Sequence, residues 1–337
     1  MGKFLDSEKP LQTEFKKAST YFSKPARADG FYKDHKYSFC LPLEHAEENL
    51  FPAIRESAQE FFSRHNIKWH DGHDGKPSNH MCDSQVCCVN FLFPLADQPD
   101  GLANILRRVF PNLKCMLPIE DGKYVSFEWI GAENYLGEKI SRSGNRTRGA
   151  NFTSADAIVF FEDDNGRKQL NLIEWKYTES YTGNNLKFAA SGTDRTAIYR
   201  HLFDAEDNPI DQSLLPDFRD LFYEPFYQFM RQQFLANEME KAHELGADIV
   251  TLLHISPAHN LDFRRITSPK LAHLSKSATG AWNRLVKPKN RFIPVYSEDL
   301  FGNLNDLSSQ EMQQWKTYIY TRYSWVNEVL PVTVDRT

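Results

Sequence analysis

With 337 residues the chain has room for one elaborated domain or two modest ones, and length enough to bury a sizeable core. Its 41% hydrophobic and 25% charged residues are those of a soluble globular protein, which excludes a disordered or fibrous chain. A net charge of −5 excludes a globally basic nucleic-acid binder, so any such function has to rest on local charge.

The five cysteines (Cys40, Cys82, Cys87, Cys88 and Cys115) are an odd set with no secretory h-region ahead of them. That usage points to reduced thiols and a cytoplasmic location. No run of about 18 apolar residues occurs, so no membrane span is expected. Residues 1–40 are polar and aromatic with weak periodicity, which predicts an irregular segment with one strand near Tyr37–Leu41. From Leu43 to His65 apolar residues recur at helical spacing through Ala46, Leu50, Ile54, Ala58 and Phe61, with Pro52 expected to kink or start the helix. Residues 69–95 begin as loop and end as an apolar run. They gather His70, His73, His80, Cys82, Cys87 and Cys88, but no CxxC or HxxxH pair, so zinc is disfavoured and the cysteines read as small core residues. A short amphipathic helix is expected over 101–110 and an alternating strand over 124–130.

The next stretch carries the chemistry. Ser154 to Tyr177 reads as two strands joined at Asp163-Asp164-Asn165-Gly166, a turn composition that tolerates positive φ. Asp156 stands at the mouth of the first strand. Glu174 and Lys176, two apart on the second, project to one face. Two acids and a lysine on one sheet edge suit a divalent metal beside a phosphate. Asp156, Glu174 and the backbone carbonyl of Trp175 would supply oxygens, and Lys176 would touch the attacking water or a phosphate oxygen, giving phosphodiester hydrolysis. The cofactor expected is Mg²⁺, with Mn²⁺ as a substitute. A basic connection with Lys139, Arg142, Arg146 and Arg148 enters this hairpin, either as a solvated loop or as a phosphate contact.

Beyond the hairpin a polar insertion runs over 178–216, with a short helix near 193–203. A strong helix is expected over 217–245 and a buried strand over 247–255. Residues 263–297 carry eight cations (Arg264, Arg265, Lys270, Lys276, Arg284, Lys287, Lys289 and Arg291) and no Asp or Glu. That asymmetry favours a polyanion-facing surface over a merely solvated one. A final helix over 307–326 opens on Ser308-x-x-Glu311, a capping-box pattern.

The segments SADAIVFF and NLIEWKY, with Asp156, Glu174 and Lys176, resemble the PD-(D/E)XK nuclease superfamily, with Ala155 where the motif has Pro. IKWHDG, HMCDSQVCCVNFL, EWIGAENYLGE, YEPFYQFMRQQFLA and WKTYIYTRYSW extend the resemblance over roughly residues 30–330, to bacterial restriction-endonuclease-like proteins. The resemblance implies an α/β fold (α+β mixed) with an αβββαβ core: a mixed central sheet flanked by helices, with elaborations at both ends. The layout expected is an N-terminal elaboration over 1–120, the nuclease core over 121–260, and the basic segment and C-terminal helix over 261–337 of the same domain. It further implies a Mg²⁺-dependent DNA endonuclease of restriction or phage-defence type. Asp156 and Glu174 would be the metal ligands and Lys176 the catalytic lysine. A third acid stays open between Glu48 and Glu138, with the nearer Glu138 preferred, and Gln228 and Arg231 are polar residues of the following helix that could be aimed at the site. Alternatives are action on RNA or on single-stranded or flap DNA, or a silent nucleic-acid-binding module. DNA is the partner expected, no membrane is involved, and a homodimer is compatible with double-strand cleavage.

Overall fold

A computed structural model describes residues 2–139, 146–150, 152–305 and 309–328. Helix α1 (Lys3–Ala18) lies where the sequence pattern predicts an irregular segment. The reason is its buried face, where Glu8, Gln12 and Lys16 alternate with Phe4 and Phe15, so polar residues mask the apolar period. A small hairpin, β1 (Gly30–Tyr32) and β2 (His35–Tyr37), follows. Pro52 fragments the helix expected over 43–65 into two 3₁₀ segments, and only α2 (Arg55–Arg64) is regular. The apolar run becomes α3 (Ser84–Leu92), capped by Asp83 and buried along its whole length. Then come α4 (Pro99–Leu106), β3 (Leu113–Met116) and β4 (Val125–Trp129).

The hairpin forms as expected. Strand β5 (Ala155–Asp163) turns at Gly166, at φ 75°, into β6 (Lys168–Trp175). Helix α5 (Thr196–Phe203) is followed by α6 (Phe226–Lys241). The single helix expected over 217–245 is interrupted, because Pro225 supplies no N–H and the chain ahead of it closes as a 3₁₀ turn at Phe218–Leu221. After β7 (Ile249–Ser256) come α7 (Leu261–Arg264), α8 (Ala278–Leu285), β8 (Phe292–Tyr296), α9 (Ser297–Phe301) and α10 (Gln310–Arg322). Ser309, not Ser308, caps α10 by accepting from Met312 N at 3.2 Å, and Ser308 lies outside the described residues.

Six strands form one mixed sheet in the order β3-β5-β6-β7-β8, with β4 sharing the outer edge of β5 with β3. Strands β3, β4, β5 and β6 pair antiparallel through β5, whereas β6, β7 and β8 run parallel. Parallel neighbours need crossovers, and α6 and α8 provide them. Alternation divides the sheet between two cores. Ala157, Val159, Ile173 and Trp175 face a core built with α2, α3, α4 and α10, while Ile158, Phe160, Leu170 and Leu172 face one built with α5, α6 and α8. This is a restriction-endonuclease-like arrangement. Among the described residues no helix is long and apolar enough to cross a membrane.

Both ends of the described chain meet behind the hairpin. Arg322 of α10, 2% exposed, donates to Gln12 Oε1 (3.1 Å), Asn49 O (2.6 Å), Tyr318 OH (2.6 Å) and Met81 O (3.1 Å). Gln12 in turn donates to Tyr177 OH at 3.0 Å, one residue past Lys176. Arg322→Ala leaves these acceptors buried and unpaired, and is expected to cost about 3–5 kcal/mol in urea denaturation. A loss below about 1 kcal/mol would show the network to be dispensable.

Candidate active site

The strand registers place four polar residues in one row at the end of the sheet. The pairs Phe127↔Ala157 and Trp129↔Ala155 bracket Glu128 opposite Asp156. The pairing of Ala157 with Ile173 continues to set Asp156 opposite Glu174, and Glu174 is paired with His254. Asp156 accepts from Trp175 N at 2.7 Å. Glu174 is fully buried, its Oε1 in contact with the Lys176 ammonium and its Oε2 accepting from Gln232 of α6. Gln232 also donates to Ser154 O at 3.2 Å. Glu128 accepts from Gln85 of α3 (2.6 Å) and from Ser154 Oγ (2.7 Å). Its backbone is left-handed at φ 49°, an uncommon conformation for a residue with a long side chain.

Like charges dominate the electrostatics. Burial, then the Glu174 carboxylate, pushes Asp156 well above the usual carboxylate range, and the Lys176 cation only partly offsets this. Burial and Glu174 raise Glu128 as well. Burial pulls Lys176 down, but Glu174 together with Tyr181, Glu179 and Asp156 outweighs it and holds the ammonium well above its ordinary value. His254 is fully buried, neither ring nitrogen has a hydrogen-bond partner, and burial followed by the Lys176 charge keeps it neutral. The row therefore holds three acids against one cation. Hard carboxylate oxygens in such an excess suit a divalent cation, although among the described residues no three His, Cys, Asp or Glu side chains already stand in ligating geometry.

A family model described as "Restriction Endonuclease associating with ARP" matches residues 11–324. The chain belongs to that restriction-endonuclease family. No curated protein and no solved structure matches it.

In this family member the other site candidates lie as follows. Glu138 is 9% exposed and spent on Thr153 N (2.7 Å), Thr153 Oγ1 (2.6 Å) and Tyr199 OH (2.8 Å), pinning the segment that leads into β5. Glu48 binds Ser23 and faces His45 and Arg55, among the N-terminal segments. Neither meets Asp156; the acid opposite it is Glu128. Gln228 accepts from Tyr181 OH at 3.3 Å, and Gln232, one turn later, is the glutamine that reaches Glu174. The Trp175 carbonyl accepts from Ser84 Oγ at 3.2 Å, which leaves it one lone pair.

The basic residues divide. Arg148 pairs with Glu120 at 3.0 Å, Arg146 donates to the carbonyls of residues 130–132, Lys139 is exposed, and Arg142 lies outside the described residues. Arg264 is buried, stacked 4.1 Å from the Tyr296 ring centroid, and Arg291 pairs with Glu240 at 2.8 Å. Arg265, Lys270, Lys276, Arg284, Lys287 and Lys289 are exposed. Pro294 is in register with His254 and Glu174, so Arg291, just ahead of β8, lies three residues from the acid row, and Arg284, Lys287 and Lys289 come before it in the chain. Arg265 and Lys270 flank Thr267, whose hydroxyl reaches Glu224 O just ahead of α6. Of the histidines and cysteines gathered in 69–95, Cys82 and Cys87 are buried with thiols raised by burial, His80 packs on Tyr32 and Phe39, and His70 faces Asp83 at 3.9 Å.

Proposed function

We propose that the chain is a Mg²⁺-dependent DNA endonuclease with a PD-(D/E)XK-type site, serving restriction-type defence. The observation that carries this reading is the row Glu128–Asp156–Glu174, with Lys176 two residues beyond Glu174, just past the end of β6. Membership of a restriction-endonuclease family supports the nuclease class and favours DNA over RNA.

Asp156 and Glu174 would hold the cation, with the free lone pair of the Trp175 carbonyl as an added oxygen. A bound Mg²⁺ supplies charge neutralisation at the scissile phosphate and acidifies the attacking water. Trp175 N–H fixes the Asp156 carboxylate, and Gln232 fixes that of Glu174. Lys176 keeps its proton, so it acts as a hydrogen-bond donor and point charge toward the phosphate or the nucleophile, not as a base. Glu128, hydrogen-bonded by Gln85 and Ser154, sets the charge opposite Asp156.

The protein is expected to nick supercoiled plasmid with Mg²⁺ and not with EDTA; metal-independent cutting would overturn the reading. Glu128→Gln should lower the nicking rate about 10- to 100-fold, the range seen when a group orienting a metal site is removed. Glu138→Gln should leave the rate near that of the wild type and lower thermal stability. The reverse ranking would make Glu138 the third acid.

A further inference from the structure

A cavity of about 430 Å³ opens beside the acid row, between the end of α2, the end of β4 and the turn after α6. Trp129, Arg146, Arg148, Glu244, His65 and Asn66 line it. Its lining neighbours one acid of the candidate row, Glu128. Trp129 follows Glu128 in the chain, and Gly149, next to Arg148, packs so tightly that a Cβ there would lie 3.5 Å from Glu128 Cδ and 2.6 Å from Lys68 O.

The chemistry of the walls selects a planar ligand. Arg148 spends its donor edge on Glu120 (3.1 Å), Ser126 Oγ (2.6 Å) and the Phe127 carbonyl (3.0 Å). Arg146 spends its own on the carbonyls of Ile130 (2.6 Å), Gly131 (3.1 Å) and Ala132 (2.9 Å). The Trp129 indole N–H goes to Glu244 at 3.1 Å. With their edges engaged, and Glu120 and Glu244 in the wall, these groups are poor phosphate clamps. Their faces remain: the Arg148 guanidinium already lies 5.1 Å from the Trp129 ring centroid. An indole with a guanidinium over its ring offers a platform for a further π-system. Its lining includes left-handed Asn66 (φ 51°) and Leu245 (φ 55°), strained non-glycine backbone of the kind found at ligand sites. The volume falls within the range of small-molecule sites, about 300–1,000 Å³.

We propose that this cavity receives a nucleobase unstacked from the strand next to the scissile phosphate, so that cutting depends on a base at that step. The proposal rests on the nuclease reading and is tested both with and without cleavage. Without metal, saturation-transfer NMR on the full chain measures dAMP, dGMP, dCMP and TMP against deoxyribose 5-phosphate. With Mg²⁺, sequencing of cut ends measures base bias next to the break. Two variants are compared: Trp129→Leu removes the platform, and Ala132→Phe fills the cavity from an exposed position without deleting core.

The result expected is binding of at least one nucleotide about tenfold tighter than the sugar phosphate, lost in both variants. A base bias beside the cut should disappear in Ala132→Phe. Equal binding of the base-free sugar phosphate, or nucleotide binding unchanged in both variants, would overturn the proposal. A bias that survives Ala132→Phe overturns the cavity and leaves the nuclease reading standing. Nucleotide binding abolished by both variants, in a protein that cuts nothing, does the opposite.

Discussion

Asp156→Asn is expected to abolish cleavage while making the metal-free protein more stable than the wild type. On the proposed reading the loss would follow from removing a metal-binding oxygen and should reach roughly 10³-fold or more. The gain follows from the row. Asp156 sits opposite both Glu128 and Glu174, and burial with these neighbours raises its carboxyl well above the ordinary range. For a carboxyl raised in this way, folding favours the protonated form. Its favourable contribution is fully present below the unfolded value, near 4, and is lost as pH rises through the folded one. Asparagine mimics the protonated state and can still accept from Trp175 N. The stability difference should therefore be small at pH 4 and widen toward pH 8, by about 1–3 kcal/mol in urea titrations with EDTA. Mg²⁺ should stabilise the wild type and not the variant, narrowing or reversing the gap. A variant less stable than the wild type at pH 8 in EDTA would show that the acids are not in conflict.

Lys176→Met is expected to move stability the other way and to remove activity as well. Among the described residues the ammonium is the one cation in contact with Glu174, and Glu174 has no exposure through which water could replace it. Removing one member of a buried pair leaves the other uncompensated, which typically costs about 3–5 kcal/mol. Lys176 is raised above its ordinary value, so its own contribution is present throughout pH 5 to 8 and falls away only in strong base. Any pH dependence of the deficit in that window comes from the acids. It should shrink as pH falls and Asp156 and Glu128 take up protons. Mg²⁺ should also shrink it by neutralising the same carboxylates. Thermal melts at pH 5, 7 and 8, with and without metal, measure both effects. A deficit independent of pH and metal would mean that Lys176 fills space and little more.

Part of the site is local in sequence and part is not. The turn at Asp163–Gly166 fixes the register of β5 against β6, so Asp156, Glu174 and Lys176 are legible from pattern alone. Glu128 is not. The connection from β4 to β5 is too long to carry a register, and the left-handed backbone at Glu128 breaks the alternation a strand reading relies on. Distance along the chain favours Glu138 instead, but folding assigns that carboxylate to Thr153 and Tyr199. Gln232 escapes for another reason. It stands one turn after Gln228 on the same face of α6, and the helical period alone does not separate the two. The basic run over 263–297 is continuous in sequence but is folded around α8, and two of its cations are spent inside the fold, Arg264 on Tyr296 and Arg291 on Glu240. Strands β4 to β7 are legible because they follow apolar period and strand length, whereas β3 and β8 are short and are not. The first helix was hidden because Glu8, Gln12 and Lys16 occupy its core face.

The meeting of α1 and α10 behind Tyr177 has a consequence for the order in which the protein becomes active. Translation delivers β5 and β6 long before α10, yet Arg322 and its acceptors Gln12, Asn49 and Met81 close the support under the end of β6 only when residues 310–322 have emerged. Until α10 has been made, the acids stand on a strand without this brace, so on the proposed nuclease reading cutting competence is expected to depend on a helix far along the chain from the acids themselves. Arg322→Ala tests the same dependence in a released chain: if it cuts DNA as the wild type does, the brace sets stability and not the timing of activity.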